Sequence, residues 1–327
     1  MSTNNLQQNI FDKPDMAATR DGFGQALLEL GEKDPRVVVL CADLAESTRT
    51  LAFKEKYPSR YIEIGVAEQN LATVASGLAN YGKIPFITSY AAFSPGRNNE
   101  QIRTTISLNN VSVKIVGAHA GISVGPDGAT HQALEDMALM RVQPNMVVLS
   151  PADSEEARQA TLAAAAHPGP VYIRLTREKS PVMTTTDTPF AIGKSTVVWE
   201  GEHRPEVAVF ATGPLLYEAL LAAKELEHTL ATVVINVASI KPLDRETILH
   251  YAKDAGCVVT VEEHQVAGGM GSAIAELLAA HAPMPVEFVA VHDSFGQSGN
   301  VAELYDYYKL SAPHIVAATR KAHARKS

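Results

Sequence analysis

The sequence predicts an α/β protein of two domains, each a mainly parallel sheet flanked by helices. Three observations lead there. Near-continuous apolar runs recur along the chain, as expected for strands buried on both faces. Segments of helical period lie between several of them, the rhythm of βαβ units. One stretch rich in Pro, Ser and Thr, Arg177–Gly193, interrupts that rhythm before it restarts.

Taken in order, residues 1–15 are polar and read as a loose arm. The first domain, 16–180, carries strand candidates Val37–Leu40, Tyr61–Ile64, Ile84–Tyr90, Val111–Val116, Met146–Leu149 and Val171–Leu175. A helix is expected over Asp153–Ala166, with Asp153 as its cap and Glu156 three residues on. Residues 181–192 form the linker. The second domain, 193–327, repeats the alternation with Val207–Phe210, Thr232–Val237, Cys257–Val261 and Val286–Val291 as strands.

Composition narrows the class. With 327 residues, 46% hydrophobic and 20% charged, the chain can bury two cores without disulfides. A net charge of −8 argues against nucleic acid or an anionic membrane as the main partner. Cys41 and Cys257 stand alone in apolar runs and read as buried free thiols. The polar N-terminus lacks an apolar signal core, and no run approaches the roughly 18 apolar residues of a membrane span. A cytoplasmic protein is expected.

The most informative passage is VSVKIVGAHAGISVGPDGATHQ, residues 111–132. An apolar strand pattern ends near His119, a glycine-rich loop carries Asp127, and His131 opens a helical pattern through Leu134, Met137 and Ala138. Polar groups at the carboxyl end of a strand stand where open α/β sheets place their chemistry. Taken alone the loop permits a metal site or a structural turn, although its spacing suits a compact zinc site poorly.

Other candidates share that placement. Glu68 falls in the first turn of a helix after Tyr61–Ile64. It is either a carboxylate favoured by the helix dipole or a desolvated carboxyl among Ile64, Val66, Leu71 and Val74. Tyr90 and Phe93 follow a strand and are either core or a stacking surface. Arg177, after Val171–Leu175, is either solvated or an anion ligand, and Ser47 could donate to the same anion. GGMG at 268–271 lacks dinucleotide spacing and a P-loop lysine, so it reads as close strand-to-helix packing.

In this order the segments ADLAES (42–47), GVAEQNLATVASGLA (65–79), TSYAAF (88–93), HAGISVGPDGATHQALEDMALMRVQPN (119–145) and LTRE (175–178) resemble the thiamine-diphosphate enzymes of the transketolase family. The chain is similar to the pyrimidine-binding and C-terminal domains of a transketolase, encoded as a separate subunit. The resemblance implies that Glu68 hydrogen-bonds the cofactor's aminopyrimidine and favours its imino form, and that Phe93 and Tyr90 pack on that ring. It places Asp43 near the thiazolium. His119 and Asp127 would face sugar hydroxyls, His131 would relay protons at the reacting carbonyl, and Ser47 and Arg177 would hold a sugar phosphate.

Departures from the family pattern are Gly96 where a third pocket aromatic is usual, Ala67 where an arginine is usual, and GPDG in place of GEDG. The Ala-Glu-Gln variant also resembles 1-deoxyxylulose-5-phosphate synthase, but His119–Ala120–Gly121 stands where that enzyme has Asp-Arg-Ala-Gly, which favours transketolase. The family binds the diphosphate and its Mg2+ (or Ca2+) through a Gly-Asp-Gly…Asn segment, and none is present here. The resemblance therefore implies a separate diphosphate-binding partner subunit holding the metal, in an α2β2 heterotetramer. Alternatives are a subunit of another thiamine-diphosphate enzyme, synthase-like or 2-oxoacid-dehydrogenase-beta-like, and a non-catalytic regulatory subunit.

Overall fold

The computed structural model describes residues 5–201 and 203–326. In the first half the elements are β1 (Met16–Ala17), α1 (Thr19–Lys33), β2 (Val37–Cys41), α2 (Leu51–Lys56), β3 (Tyr61–Glu63), α3 (Glu68–Asn80), β4 (Ile84–Tyr90), α4 (Asn99–Gln101), β5 (Lys114–Ala118), α5 (Asp136–Arg141), β6 (Val147–Leu149), α6 (Ser154–Ala166), β7 (Val171–Arg174) and β8 (Ser180–Pro181). In the second they are β9 (Thr196–Glu200), β10 (Val207–Ala211), α7 (Leu216–Leu226), β11 (Thr232–Asn236), β12 (Ser239–Lys241), α8 (Arg245–Ala255), β13 (Val258–Gln265), α9 (Met270–His281), β14 (Val286–Val291), α10 (Val301–Tyr307) and α11 (Ala312–Ala324).

Two larger sheets result, of order β12-β6-β7-β5-β4-β2-β3 and β14-β13-β10-β11-β9. Every pairing in them is parallel except β12 on β6 and β9 on β11. The uninterrupted apolar strands have a simple cause. Successive residues of β2 point to opposite faces: Val37 and Val39 enter one core cluster, Val38 and Leu40 another. Phe86 and Ile87 on β4 divide the same way, as do Ile173 and Tyr172 on β7. Each such side chain contributes about 1.5–3 kcal/mol on full burial.

One cluster also runs between the sheets, joining Leu40, Ile87 and Ile115 to Phe210, Ile235 and Val258. The two sheets share a core rather than meeting across a wet seam. The topology opens a crevice in the first sheet, because β2 leads to β3 on one side while β4 leads to β5 on the other. Ligands of open parallel sheets bind at such a reversal.

Several expectations need correction. The described part of the arm, 5–15, is not loose. Leu6 and Ile10 are buried in the second sheet's core, and the Tyr217 hydroxyl donates to the Ile10 carbonyl at 3.2 Å. The linker is ordered too, since the Met183 and Thr184 amides both donate to Asp153 at 2.7 and 2.6 Å. The strand expected at Val111–Val116 runs Lys114–Ala118, after a tight turn closed by the Val113 amide on the Val111 carbonyl. Short β1, β8 and β12 lack the apolar runs that mark the others, and β9, with Val197–Trp199, adds a strand that was not expected. β12, from the second half of the sequence, completes the first sheet. Asp153 caps α6 as expected, accepting the Glu156 amide. Close strand-to-helix packing at GGMG is also present: the buried Glu262 carboxylate accepts the Met270 and Gly271 amides at the start of α9.

Candidate active site

The loops after β2, β4, β5 and β7 converge at the carboxyl edge of the first sheet. They enclose a cavity of about 400 Å³ lined by Arg20, Glu46, Ser47, Arg49, Tyr90, His119, Asp127 and Arg177. Five of these are expected from sequence: Ser47, Tyr90, His119, Asp127 and Arg177. Arg20, Glu46 and Arg49 are not. Arg20 does leave a signal, because a cation in the first turn of a helix stands against the dipole and calls for an anionic partner.

His119 organises the wall. It is 2% exposed, has φ +55°, and stacks on Tyr90 with centroids 3.9 Å apart and planes at 27°. Arg20 Nη1, which only donates, lies 3.4 Å from His119 Nε2 and also bonds the Ser47 carbonyl at 2.8 Å. Nε2 therefore accepts, and the ring proton sits on Nδ1, a buried donor with no partner among the described residues. Burial, then the Arg20 and Arg177 charges, push the imidazole down to about 3. His119 is thus neutral in any ordinary buffer, and offers a hydrogen bond rather than a charge.

Tyr90 continues the aromatic wall to Phe93, stacked at 6.0 Å and 27°. His131 stands edge-on to both rings, at 5.9 and 5.4 Å, with Nδ1 2.9 Å from the Thr130 hydroxyl. It does not open a helix as expected: α5 begins at Asp136, and the His131 amide closes a turn on the Gly128 carbonyl.

Glu68 is the first residue of α3 and only 3% exposed. Buried Asn98 donates to the Glu68 carbonyl at 2.9 Å and to the Ser94 hydroxyl at 3.2 Å, tying this helix start to the turn that follows Phe93. No described residue donates to the Glu68 carboxylate itself. Its oxygens are left to accept from a ligand that supplies a donor. The Glu68 carboxyl beside an aromatic turn fits the aminopyrimidine of thiamine diphosphate. For the metal, no three His, Cys, Asp or Glu groups cluster among the described residues. Asp43 is exposed at the end of β2 with φ +59°, its amide donating to Glu63 at 2.8 Å, and does not line the cavity.

The second half of the chain holds the 119–135 loop in place. Glu263, at the end of β13, accepts the Ser123 amide at 2.9 Å and the Tyr305 hydroxyl at 2.6 Å. Gly121, at φ +86°, passes so close that a Cβ there would sit 2.4 Å from Glu263 Oε2. Behind it Arg174 pairs with Asp136 at 2.9 Å, both almost wholly buried, and bonds the Glu263 carbonyl at 2.7 Å. Gln132 Nε2 donates to the Ile122 carbonyl at 3.1 Å and the Gln297 carbonyl at 3.0 Å.

Comparison with known proteins gives a consistent picture. Residues 15–182 match the transketolase pyrimidine-binding domain family and residues 195–315 the transketolase C-terminal domain family. A putative transketolase C-terminal section from Methanocaldococcus jannaschii is 41% identical, over 90% of this chain and 93% of that protein. A 6-deoxy-6-sulfo-D-fructose transketolase subunit from Clostridium sp. (strain MSTE9) is 40% identical, over 94% and 95%. A 1-deoxy-D-xylulose-5-phosphate synthase from Desulfitobacterium hafniense (strain DSM 10664 / DCB-2) is 33% identical over 97% of this chain but only 50% of its own length. Among solved structures, a split-gene transketolase described as an inactive β4 tetramer superposes with TM-score 0.88 at 46% identity, covering 95% of this chain and 99% of that one.

Proposed function

Because the chain belongs to the transketolase family, we propose that it is one subunit of a split, thiamine-diphosphate-dependent transketolase. It moves a two-carbon ketol unit from a ketose phosphate to an aldose or aldose phosphate. The observation that carries this reading is Glu68, 3% exposed at the start of α3 and tied through Asn98 to the turn after Phe93, with the Phe93–Tyr90–His119 wall leading on to an arginine-lined cavity.

Thiamine diphosphate, when bound, supplies the nucleophilic carbon and the electron sink that sugars lack. The chain's own residues orient and manage protons. Glu68 hydrogen-bonds the pyrimidine and favours its imino form. Phe93 and Tyr90 pack against that ring. His119 donates Nδ1–H to a sugar hydroxyl, and Asp127 faces the same chain of hydroxyls from the cavity rim. His131 exchanges a proton at the reacting carbonyl. Ser47, Arg20 and Arg177 bind the terminal anion, each guanidinium still having free N–H groups.

The similarity to a transketolase C-terminal section and to a transketolase subunit, each covered over more than nine-tenths of its length, supports a separate subunit that holds the diphosphate and its Mg2+ (or Ca2+) in an α2β2 assembly. The similarity to an inactive β4 split-gene tetramer supports the same division of labour. The test is reconstitution. Ketol transfer is expected only when this chain is mixed with a diphosphate-binding subunit, cofactor and magnesium. Appreciable transfer by the chain alone would refute the split site, and pyruvate decarboxylation without transfer would reassign the reaction.

A further inference from the structure

A further cavity, of about 300 Å³, lies between the two halves of the chain and belongs to no step above. It sits at the carboxyl edge of the second sheet. There β10 leads to β11 on one side while β13 flanks it on the other, the kind of reversal at which open sheets bind ligands. Pro214 follows the end of β10, and Tyr305 of α10 donates to Glu263 near the end of β13 at 2.6 Å. Ser123 and residues 176–181 close the cavity from the first half.

The lining is that of a small-molecule site, apolar with a few polar groups converging on it. Met16, Pro181, Pro214 and Val301 supply the apolar surface, and Tyr217 and Tyr305 contribute rings. Ser123 and Ser180 also line it, at 3% and 8% exposure, and neither hydroxyl has a hydrogen-bond partner among the described residues. Buried hydroxyls left open are costly, and a polar group of a ligand would complete them.

The charges around the cavity favour a cation. Glu178 is committed to Arg177 at 3.0 Å, and Lys179 is exposed. Glu263, behind Tyr305, already accepts the Tyr305 hydroxyl and the Ser123 amide. Glu218 on α7 is the carboxylate that remains. It accepts the Ala312 amide at 2.8 Å, has no cationic partner among the described residues, and burial raises its carboxyl above the ordinary value. An ammonium brings three donors to this carboxylate and two hydroxyl oxygens, and tyrosine faces attract it. An anion would meet Glu218 with the exposed Lys179 alone to offset it.

We propose that this cavity is a binding site for a small primary amine with an apolar body, its ammonium taken by Glu218 and the Ser123 and Ser180 hydroxyls. The partition from the first cavity is thin. Arg177 lines that cavity and Glu178 this one, while Arg177 Nη1 donates to the Val124 carbonyl beside Ser123. Occupancy therefore bears on the wall of the first cavity.

The experiment titrates the full chain with hexylamine and 2-phenylethylamine by calorimetry, with hexanoate as the anionic control. At least one amine is expected to bind saturably, one per chain, and hexanoate about tenfold more weakly or not at all. Glu218→Gln, which keeps an acceptor for the Ala312 amide, should weaken amine binding about tenfold or more, the size of one charge-assisted hydrogen bond. Ala302→Trp, at an exposed position of α10 that lines the cavity, should fill it and abolish binding. No saturable amine binding, hexanoate binding as tightly as hexylamine, or binding retained in Ala302→Trp overturns the proposal. Should Glu218→Gln fail to fold, Ala302→Trp decides. One further arm rests on the ketol-transfer reading: in the reconstituted complex the amine should change the KM for the aldose acceptor at least about twofold, and not in Ala302→Trp. An unchanged KM refutes the influence on the first cavity, and absence of any transfer refutes the ketol-transfer reading, while the calorimetry decides the site in either case.

Discussion

Replacing His119 by Phe should change how stability depends on pH, and the size of the change follows from the site. The imidazole is held down to about 3 from an ordinary 6.5, chiefly by burial. Between those values the unfolded chain binds a proton that the folded chain refuses. The stability due to a neutral His119 is therefore complete above 6.5 and is lost as pH falls below it. From about pH 8 to about pH 5 the loss is about 2 kcal/mol. His264, buried and pushed down to about 4, loses a similar amount over the same range.

The wild-type profile will hide both losses. Burial raises Glu156 and Glu262 to about 7, so these carboxyls take up protons in the folded state first and gain stability on acidification. Each contributes about 2–3 kcal/mol with the opposite sign, enough to cancel the two histidines. The difference between variants is informative where the total is not. Urea unfolding of wild type and His119→Phe should give a ΔΔG that shifts by about 2 kcal/mol in favour of the variant between about pH 8 and about pH 5. An unchanged ΔΔG, or an imidazole resonance of His119 titrating near its ordinary value, would refute the neutral, Nδ1-protonated assignment.

Further outcomes are expected elsewhere. Arg174→Met strands the Asp136 carboxylate in the core and should cost about 3–5 kcal/mol; calorimetry should find Tm lower by roughly 5 °C for a cooperative unit of this size. Gly121→Ala meets both a left-handed backbone and the Glu263 carboxylate, so denaturant melts should show a loss of about 2 kcal/mol or more. Glu68→Gln should lower kcat of the reconstituted complex by about a hundredfold or more while the far-ultraviolet spectrum of the chain is kept.

The parallel sheets were legible because strands buried on both faces leave no polar residue to disguise them, as at Val37–Cys41. Strands such as Ser239–Lys241, short and pinned by neighbours, carry no such mark. The cavity was legible where chemistry gathered on one segment, as with His119 and Asp127. Arg20 and Arg49 escaped because each looks like an ordinary surface cation in its own stretch; their convergence depends on α1 packing beside the β2–α2 loop. The Glu263 clamp on Ser123 joins positions 140 residues apart, a relation no local pattern encodes.

The crossing of β12 into the first sheet bears on how this protein can be cut. A truncation at the apparent linker would remove the strand paired with β6 and bare that strand's amide and carbonyl groups to solvent. It would also open the core that Phe210 and Ile235 share with Leu40 and Ile87. Exposed edges of this kind recruit other chains. The isolated N-terminal half should therefore aggregate rather than behave as a minimal module, and any gene fusion or split that respects the fold must keep residues up to at least Lys241 with the first sheet.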